Sequence, residues 1–337
     1  MVRSSVEDGF LARPIASHMR ALVKQEPGPG EILMDVPVPR PGPGEVLIHL
    51  EAVSLCGTDV HIDRWDPWAA ANVVTPRIFG HEMAGRVVRL GAGVTRVAVG
   101  QRVAAETHLV DWTCYQCRTG RAHVCQHYRI LGVHLDGAFA EYIVLPETNV
   151  WISDALPPEI AALQEPMGNA VFSVFVEEIA GQSVAVLGCG PIGLMSIAIA
   201  KRAGARRVIA TDLRPERLAL AETMGADVVL EMSGAESALH QGLAAVTNGG
   251  RISLLGTHAH PVTLDISSEI IFKALRVYGI TGRRLFETWY QTRALLEEGL
   301  DLSPIITHRL PLSRYREAFD LVAAGHAGKV VLLPQED

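Results

Sequence analysis

Residues 183–212 read SVAVLGCGPIGLMSIAIAKRAGARRVIATD, and this stretch decides the fold of the chain around it. Ser183 to Leu187 is a short apolar run without helical period, bounded at once by glycine, which predicts a buried strand. Gly188, Gly190 and Gly193 then supply the G-x-G-x-x-G spacing. An alanine-rich apolar segment to Ala203, a Gly204 stop and a second strand over Arg207 to Thr211 follow. The first glycine permits the tight turn, the second lets backbone approach a pyrophosphate, and the third packs helix on strand. The helix N-terminus points unpaired N–H groups at the phosphates. Asp212 stands where a carboxylate can take the ribose hydroxyls. A bare glycine motif is weak; strand before, helix after and acid at range make it a dinucleotide site. Arg214 and Arg217 would admit a 2′-phosphate, but Asp212 would repel it, so the reading favours NAD.

With 337 residues, 48% of them hydrophobic, the chain has room for two cores. Its net charge of −7 argues against a nucleic-acid partner, which would need a basic face. No apolar run approaches the roughly 18 residues of a membrane span, so the expectation is a cytoplasmic protein without membrane contact. Five cysteines, an odd number, then point to metal ligation or chemistry before disulfides.

Residues 1–18 lack sustained periodicity and read as a leader or unstructured extension, with the ordered chain beginning at Met19. From there to Leu163 short strands alternate with turn-formers: Pro27 to Gly30 and Pro41 to Gly44 are turns, and Glu45 to Ala52, Ala84 to Leu90 and Ala138 to Leu145 are strands. Strands at this spacing suggest a small β-barrel. Over 164–304 helix and strand alternate, which means a parallel α/β sheet. The tail, 305–337, returns to strand, helix, strand and is expected to fold back onto 19–163, so that the nucleotide-binding domain is inserted within a discontinuous partner.

The chemistry lies in the β-rich part. Cys56 in CGTDVH follows a strand, His81 and Glu82 in GHE open the next, and Glu165 stands in QEPMGN at the domain junction. Alone, Cys56 would be a small buried hydrophobe and His81 a core histidine. Together they form a thiolate, imidazole and carboxylate set suited to Zn²⁺ with an open position. A second cluster, Asp111, Cys114, Cys117 and Cys125, occupies the polar loop DWTCYQCRTGRAHVC and suggests a closed structural zinc. The competing reading is three reduced surface thiols, which would be an oxidation liability unless ligated.

CGTDVH, GHE, the cysteine lobe, EPMGNA, GCGPIG, FETWY at Phe286 to Tyr290 and DLSPIITHR at Asp301 to Arg309 resemble the zinc-containing medium-chain dehydrogenases. WDPWA at Trp65 to Ala69, with the last two motifs, narrows the resemblance to the L-threonine 3-dehydrogenase family. The fold class it implies is α/β: a GroES-like β-barrel catalytic domain plus a Rossmann-like parallel-sheet domain. It also implies catalytic and structural Zn²⁺, two per subunit, in a homotetramer. Cys56, His81 and Glu82 would be catalytic-zinc ligands, Glu165 a tuning or exchanging ligand, and Thr58 and His61 the proton relay. On the cofactor side the resemblance adds Ile192, Arg217, Leu255, Gly256, Thr257, Ile280 and Thr281. The implied reaction is oxidation of L-threonine to 2-amino-3-oxobutanoate with hydride transfer to NAD. The alternatives are another zinc-dependent alcohol or polyol dehydrogenase, and a degenerate, catalytically weak or inactive relative.

Three departures stand out. Asp111 replaces the family's fourth lobe cysteine, and Phe172 replaces the histidine usual after GNAV. The Rossmann half is also short by about twenty residues, one strand–helix unit. After Thr211 only one helix, Pro215 to Met224, and one strand, Asp227 to Met232, precede the helix at Glu236 to Val246. That strand is expected to take the fourth position, beside Ser183 to Leu187, because its Ser233-Gly234 end then meets the cofactor cleft. A helix crossing in that direction would have to change face or strain its connections.

Overall fold

The computed structural model describes residues 15–211, 226–325 and 327–336. The chain divides into two compact units. One runs to Thr119 and takes up Cys125–Glu165 and the tail from Ile306; the other comprises Gly120–Val124 and Pro166–Ile305.

In the first unit, β1 (His18–Lys24) pairs antiparallel with β2 (Ile32–Pro37) across the Pro27 to Gly30 turn. The strand starts at His18, beside the expected Met19, and the Ser17 carbonyl accepts the Val38 amide. The backbone of the unit is β3 (Glu45–Ser54), ten residues of which all but Glu45 and Glu51 are buried. After the short β4 (Arg77–Ile78) come β5 (Glu82–Leu90) and β6 (Arg102–Ala105). The ribbon β7 (His108–Leu109) with β8 (Arg129–Ile130) flanks the cysteine lobe; β9 (Tyr142–Pro146) and β10 (Val150–Ile152) follow. Leu22, Ile48, Leu50, Phe79 and Phe139 are among the fully buried side chains of one core, each aliphatic one worth about 1.5–3 kcal/mol. The expected strand from Ala138 forms only from Tyr142: Gly137, Ala138 and Phe139 bond instead to the carbonyls of Ile78, Gly80 and Phe79.

The second unit is built on β11 (Ser183–Leu187), buried at all five positions. Gly188 has φ +100°, the left-handed region that a side chain resists. A Cβ at Gly193 would lie 1.9 Å from the Gly188 carbonyl oxygen, so only glycine lets the helix Pro191–Arg202 sit this close to the turn. β12 (Arg207–Thr211), β13 (Ala226–Glu231), β14 (Val246–Leu254) and β15 (Arg276–Gly279) complete a sheet of order β12-β11-β13-β14-β15, parallel throughout. Five strands, not six, are present among the described residues, and β13 stands directly beside β11, in the fourth-strand position the sequence led us to expect. The helix expected over Pro215 to Met224, with its crossover, lies outside the described residues.

The tail then contributes β16 (Ile306–Pro311) and β17 (Lys329–Leu333), a parallel pair joined through the helix Tyr315–Ala323. β17 pairs with the end of β3, giving the order β10-β6-β5-β3-β17-β16 with β9 also on β3. This pairing brings the last strand of the chain to Ser54 and Glu82. Among the described residues no helix is long and apolar enough to cross a membrane.

Candidate metal centres and cofactor site

Strand β3 ends two residues before Cys56, which caps the helix Gly57–Arg64 in an extended conformation. Three residues into the turn, the Asp59 carboxylate reaches back to accept the Cys56 amide at 2.8 Å, which fixes where the thiol points. On the neighbouring strand, Gly80 has φ +85° with the Phe139 ring packed over it, and this bend delivers His81 and Glu82 to the same place. One donor atom from each of Cys56, His81 and Glu82 lies within 4.8 Å of the others. A soft thiolate, an imidazole and a carboxylate at this separation suit zinc.

The supporting contacts are buried and charged. Asp59 Oδ1 is 3.7 Å from His81 Nδ1. Burial opposes a charge on His81, but the anions of Asp59 and Cys56 outweigh it and push the imidazole up to about 10. Burial pushes the Glu82 carboxyl up while Lys329 draws it back. Lys329 Nζ donates to Glu82 Oε1 at 2.7 Å, and Ser54 Oγ donates to Oε2. Glu165 accepts from Thr107 Oγ1 at 3.0 Å and is itself buried. Of the two relay residues, Thr58 Oγ1 lies 3.8 Å from Cys56 Sγ. His61, one turn on, is half exposed and holds Asp66 through Nδ1 at 2.5 Å. Asp59 and Lys329 were not identified from sequence: the first sits inside a quoted motif without a ligand's spacing, and the second is 247 positions from Glu82.

Asp111, Cys114, Cys117 and Cys125 likewise place their donor atoms within 4.8 Å of one another, with Cys114 and Cys125 sulfurs 3.7 Å apart. Asp111 Oδ1 accepts the amides of Thr113 and Cys114 at 2.8 and 3.0 Å, and Oδ2 pairs with His127, a residue the spacing did not flag. His127 and the backbone N–H groups hold the Asp111 carboxyl well below the usual range. The backbone N–H of Cys117 holds the Cys114 thiol at about 7, whereas burial and the neighbouring sulfurs push Cys117 up to about 12. Such a lobe stays partly protonated until a cation compensates its charge.

In the second unit, Gly190 caps the helix Pro191–Arg202, with Ile192 in its first turn; a Cβ at Gly190 would meet only open space, the cradle a phosphate requires. The loops after β13 and β14 interlock beside it. Glu231 Oε1 accepts Ser233 N, Ser233 Oγ and Gly234 N at 2.8, 2.5 and 3.0 Å, while its carbonyl accepts the amides of Leu255 and Gly256. A Cβ at Gly256 would stand 2.1 Å from Gly234 N. Leu255 and Gly256, with Thr257 next in the loop, are thus held by Glu231, which sequence reading treated only as strand. Ile280 is buried and donates to Leu254, with Thr281 next in line. Asp212 and Arg217 lie outside the described residues. Phe172 makes an edge contact with His123 and lies under Arg284 at 4.7 Å.

Two donor sets for zinc in one unit, and a glycine-turned phosphate cradle in the other, define a zinc-dependent, nicotinamide-linked dehydrogenase. Residues 42–155 match the family model described as alcohol dehydrogenase GroES-like domain, and residues 191–230 and 223–298 match that of zinc-binding dehydrogenase. The chain is 47% identical to an L-threonine 3-dehydrogenase of Bacillus velezensis, over 94% of this chain and 99% of that one. It is 48% identical to an L-threonine 3-dehydrogenase of Pyrococcus horikoshii, over 95% and 99%. Among solved structures, a zinc-binding dehydrogenase of Sinorhizobium meliloti bound to NADP superposes with TM-score 0.85 at 28% identity, over 95% of this chain and 100% of that one. The chain belongs to the zinc-binding medium-chain dehydrogenases, in the family of the L-threonine 3-dehydrogenases.

Proposed function

We propose that the protein oxidises the secondary alcohol of L-threonine to 2-amino-3-oxobutanoate with NAD as hydride acceptor. The observation that carries this reading is the convergence of Cys56, His81 and Glu82 in a chain that matches L-threonine 3-dehydrogenases over nearly its whole length. Cys56, His81 and Glu82 hold the catalytic zinc, with Glu165 as the exchanging ligand. When bound, the zinc supplies a Lewis acid that lowers the pKa of the substrate hydroxyl. NAD, held by Gly188, Gly190, Ile192, Gly193 and the loops at Leu255–Thr257 and Ile280–Thr281, supplies the nicotinamide that accepts hydride. The remaining work falls to side chains. Thr58 takes the hydroxyl proton and hands its own on to His61, whose half-exposed ring passes it to solvent. Asp66 keeps that ring oriented, and Asp59 does the same for His81.

Asp111, Cys114, Cys117 and Cys125 hold the structural zinc. A homotetramer is supported by the apolar side chains left exposed near the edge strand β15: Ile266, Ile271, Phe272 and Val277. A cytoplasmic location agrees with the reduced cysteines the two sites need. The test is NAD⁺ reduction with L-threonine, compared with sorbitol, butanediol and simple alcohols, with and without a chelator. Turnover fastest on threonine and abolished by the chelator is expected; preference for another alcohol would reassign the substrate. NAD binding without any turnover would favour an inactive relative, a reading supported by a sheet of five strands among the described residues.

A further inference from the structure

The pocket shared by Cys56, His81 and Glu82 contains a cation of its own. Lys329, first residue of β17, is 3% exposed; its Nζ lies 2.7 Å from Glu82 Oε1 and 2.5 Å from Oε2, and it donates to the Leu55 carbonyl at 2.8 Å. Ser54 Oγ donates to Glu82 Oε2. Both oxygens of the carboxylate therefore have protein partners before any metal arrives. A buried ammonium needs an anion close by, and Glu82 is the carboxylate it touches. A divalent ion held by Cys56 and His81 would seek the same carboxylate, while being repelled by an ammonium a few ångströms away.

We infer that Lys329 is an internal competitor for the catalytic metal, a positioning residue that holds Glu82 in the metal-free protein and keeps it a weak, displaceable ligand in the loaded one. With Glu165 as the exchanging ligand, a Glu82 bound without competition would make four protein ligands with Cys56 and His81, and the position needed by a substrate hydroxyl would be lost. This inference rests on the proposed zinc chemistry. It concerns what sets the strength of one ligand rather than whether the metal is used.

The experiment uses the full chain in zinc buffers of defined free concentration. Alkylation of Cys56 is read by peptide mass spectrometry, separately from Cys114, Cys117 and Cys125. In Lys329→Met, protection of Cys56 should appear at a free zinc concentration at least about tenfold lower than in wild type. The metal-free form should melt lower, so the rise in Tm on adding zinc widens. Lys329→Arg keeps the charge and should behave as wild type. Against Glu82→Gln, adding Lys329→Met should shift protection far less, because the disputed carboxylate is gone. Should Lys329→Met fold only in zinc medium, its loss of zinc to excess chelator should be about tenfold slower. Unchanged or weakened zinc protection in Lys329→Met would overturn the inference, and so would an equal shift in the Glu82→Gln background. If zinc fails to protect Cys56 in wild type while protecting the lobe cysteines, the catalytic metal and the proposed chemistry fall together.

Discussion

Asp59 stands 3.7 Å from His81 Nδ1 through one oxygen and 2.8 Å from the Cys56 amide through the other, so a single buried carboxylate orients two donors on different elements. A carboxylate behind a metal-binding histidine fixes its tautomer and strengthens it as a ligand. Asp59→Asn keeps the shape and removes the charge. We expect zinc affinity at this site to fall about 10- to 100-fold with circular dichroism unchanged. Equal metal content after dialysis against a chelator would show that Asp59 only caps the helix.

Cys56→Ser separates the metal from the nucleotide. The thiolate stands in the first unit, whereas the glycine turn and the Glu231-braced loops lie in the second. Turnover should drop by about three orders of magnitude, equivalent to about 4 kcal/mol, with NAD affinity nearly intact. Activity like that of wild type would end the assignment of Cys56 to the metal.

The cysteine lobe gives the opposite sign for a change at Asp111. An oxygen ligand is harder than the thiolate it replaces, and this one is also shared with His127 and two backbone amides. Asp111→Cys should release its zinc to a chelator about tenfold more slowly. Metal analysis should find two ions per subunit in wild type; one ion, with Cys114 and Cys117 freely alkylated, would remove the lobe site.

What could be read from sequence here was local. The Cys56, His81 and Glu82 set was readable because each residue sits in a short motif next to a strand end, and the lobe because its thiols are a few residues apart. Lys329 could not be read that way, since only the antiparallel pairing of Val331 with Ser54 brings the end of the chain to Glu82. Glu231 escaped for another reason: at the end of a buried strand its carboxylate looked like strand composition, and its bonds to Ser233 and Gly234 follow from a turn the spacing does not encode. The place of β13 was readable because its glycine-ended loop carries cofactor chemistry, which an edge position would have wasted.

A second buried carboxylate couples stability to pH. Glu31 is nearly inaccessible. Burial and the Asp63 charge push it up to about 7, against the pull of Arg316, 3.9 Å away on the tail helix, and Lys24 on β1. The folded pKa lies above the ordinary value of 4.5. The protonated form therefore contributes stability that is fully present below pH 4.5 and lost as pH rises through 7. Urea midpoints should fall between pH 5 and pH 8 in wild type. Glu31→Gln should remove this part of the slope and gain on the order of 1–3 kcal/mol at pH 8. A slope identical in both proteins would assign the pH dependence elsewhere.

The last prediction concerns the shortened sheet. β13 runs beside β11 in register from Val184 with Val228 to Leu187 with Glu231, leaving β12 with β11 as its one strand partner among the described residues. The zinc-binding dehydrogenase match agrees, since it falls in two pieces that meet at β13. So does the Bacillus velezensis alignment, whose 343 positions use only 94% of this chain. The glycine turn and the Glu231-braced loops are built without the missing unit, so the cofactor cradle itself should survive. Among the described residues β12 lacks the cover that an outer strand and its helix would give, and its middle residues are only partly buried. Apolar surface left open at a sheet edge weakens the unit that must hold the nucleotide. A chimera carrying the relatives' strand–helix unit after Gly225 should melt about 5 °C higher and bind NAD about threefold to tenfold more tightly, measured by calorimetry on the two proteins side by side. Equal melting temperature and equal NAD affinity would mean that the five-stranded sheet is complete as it stands.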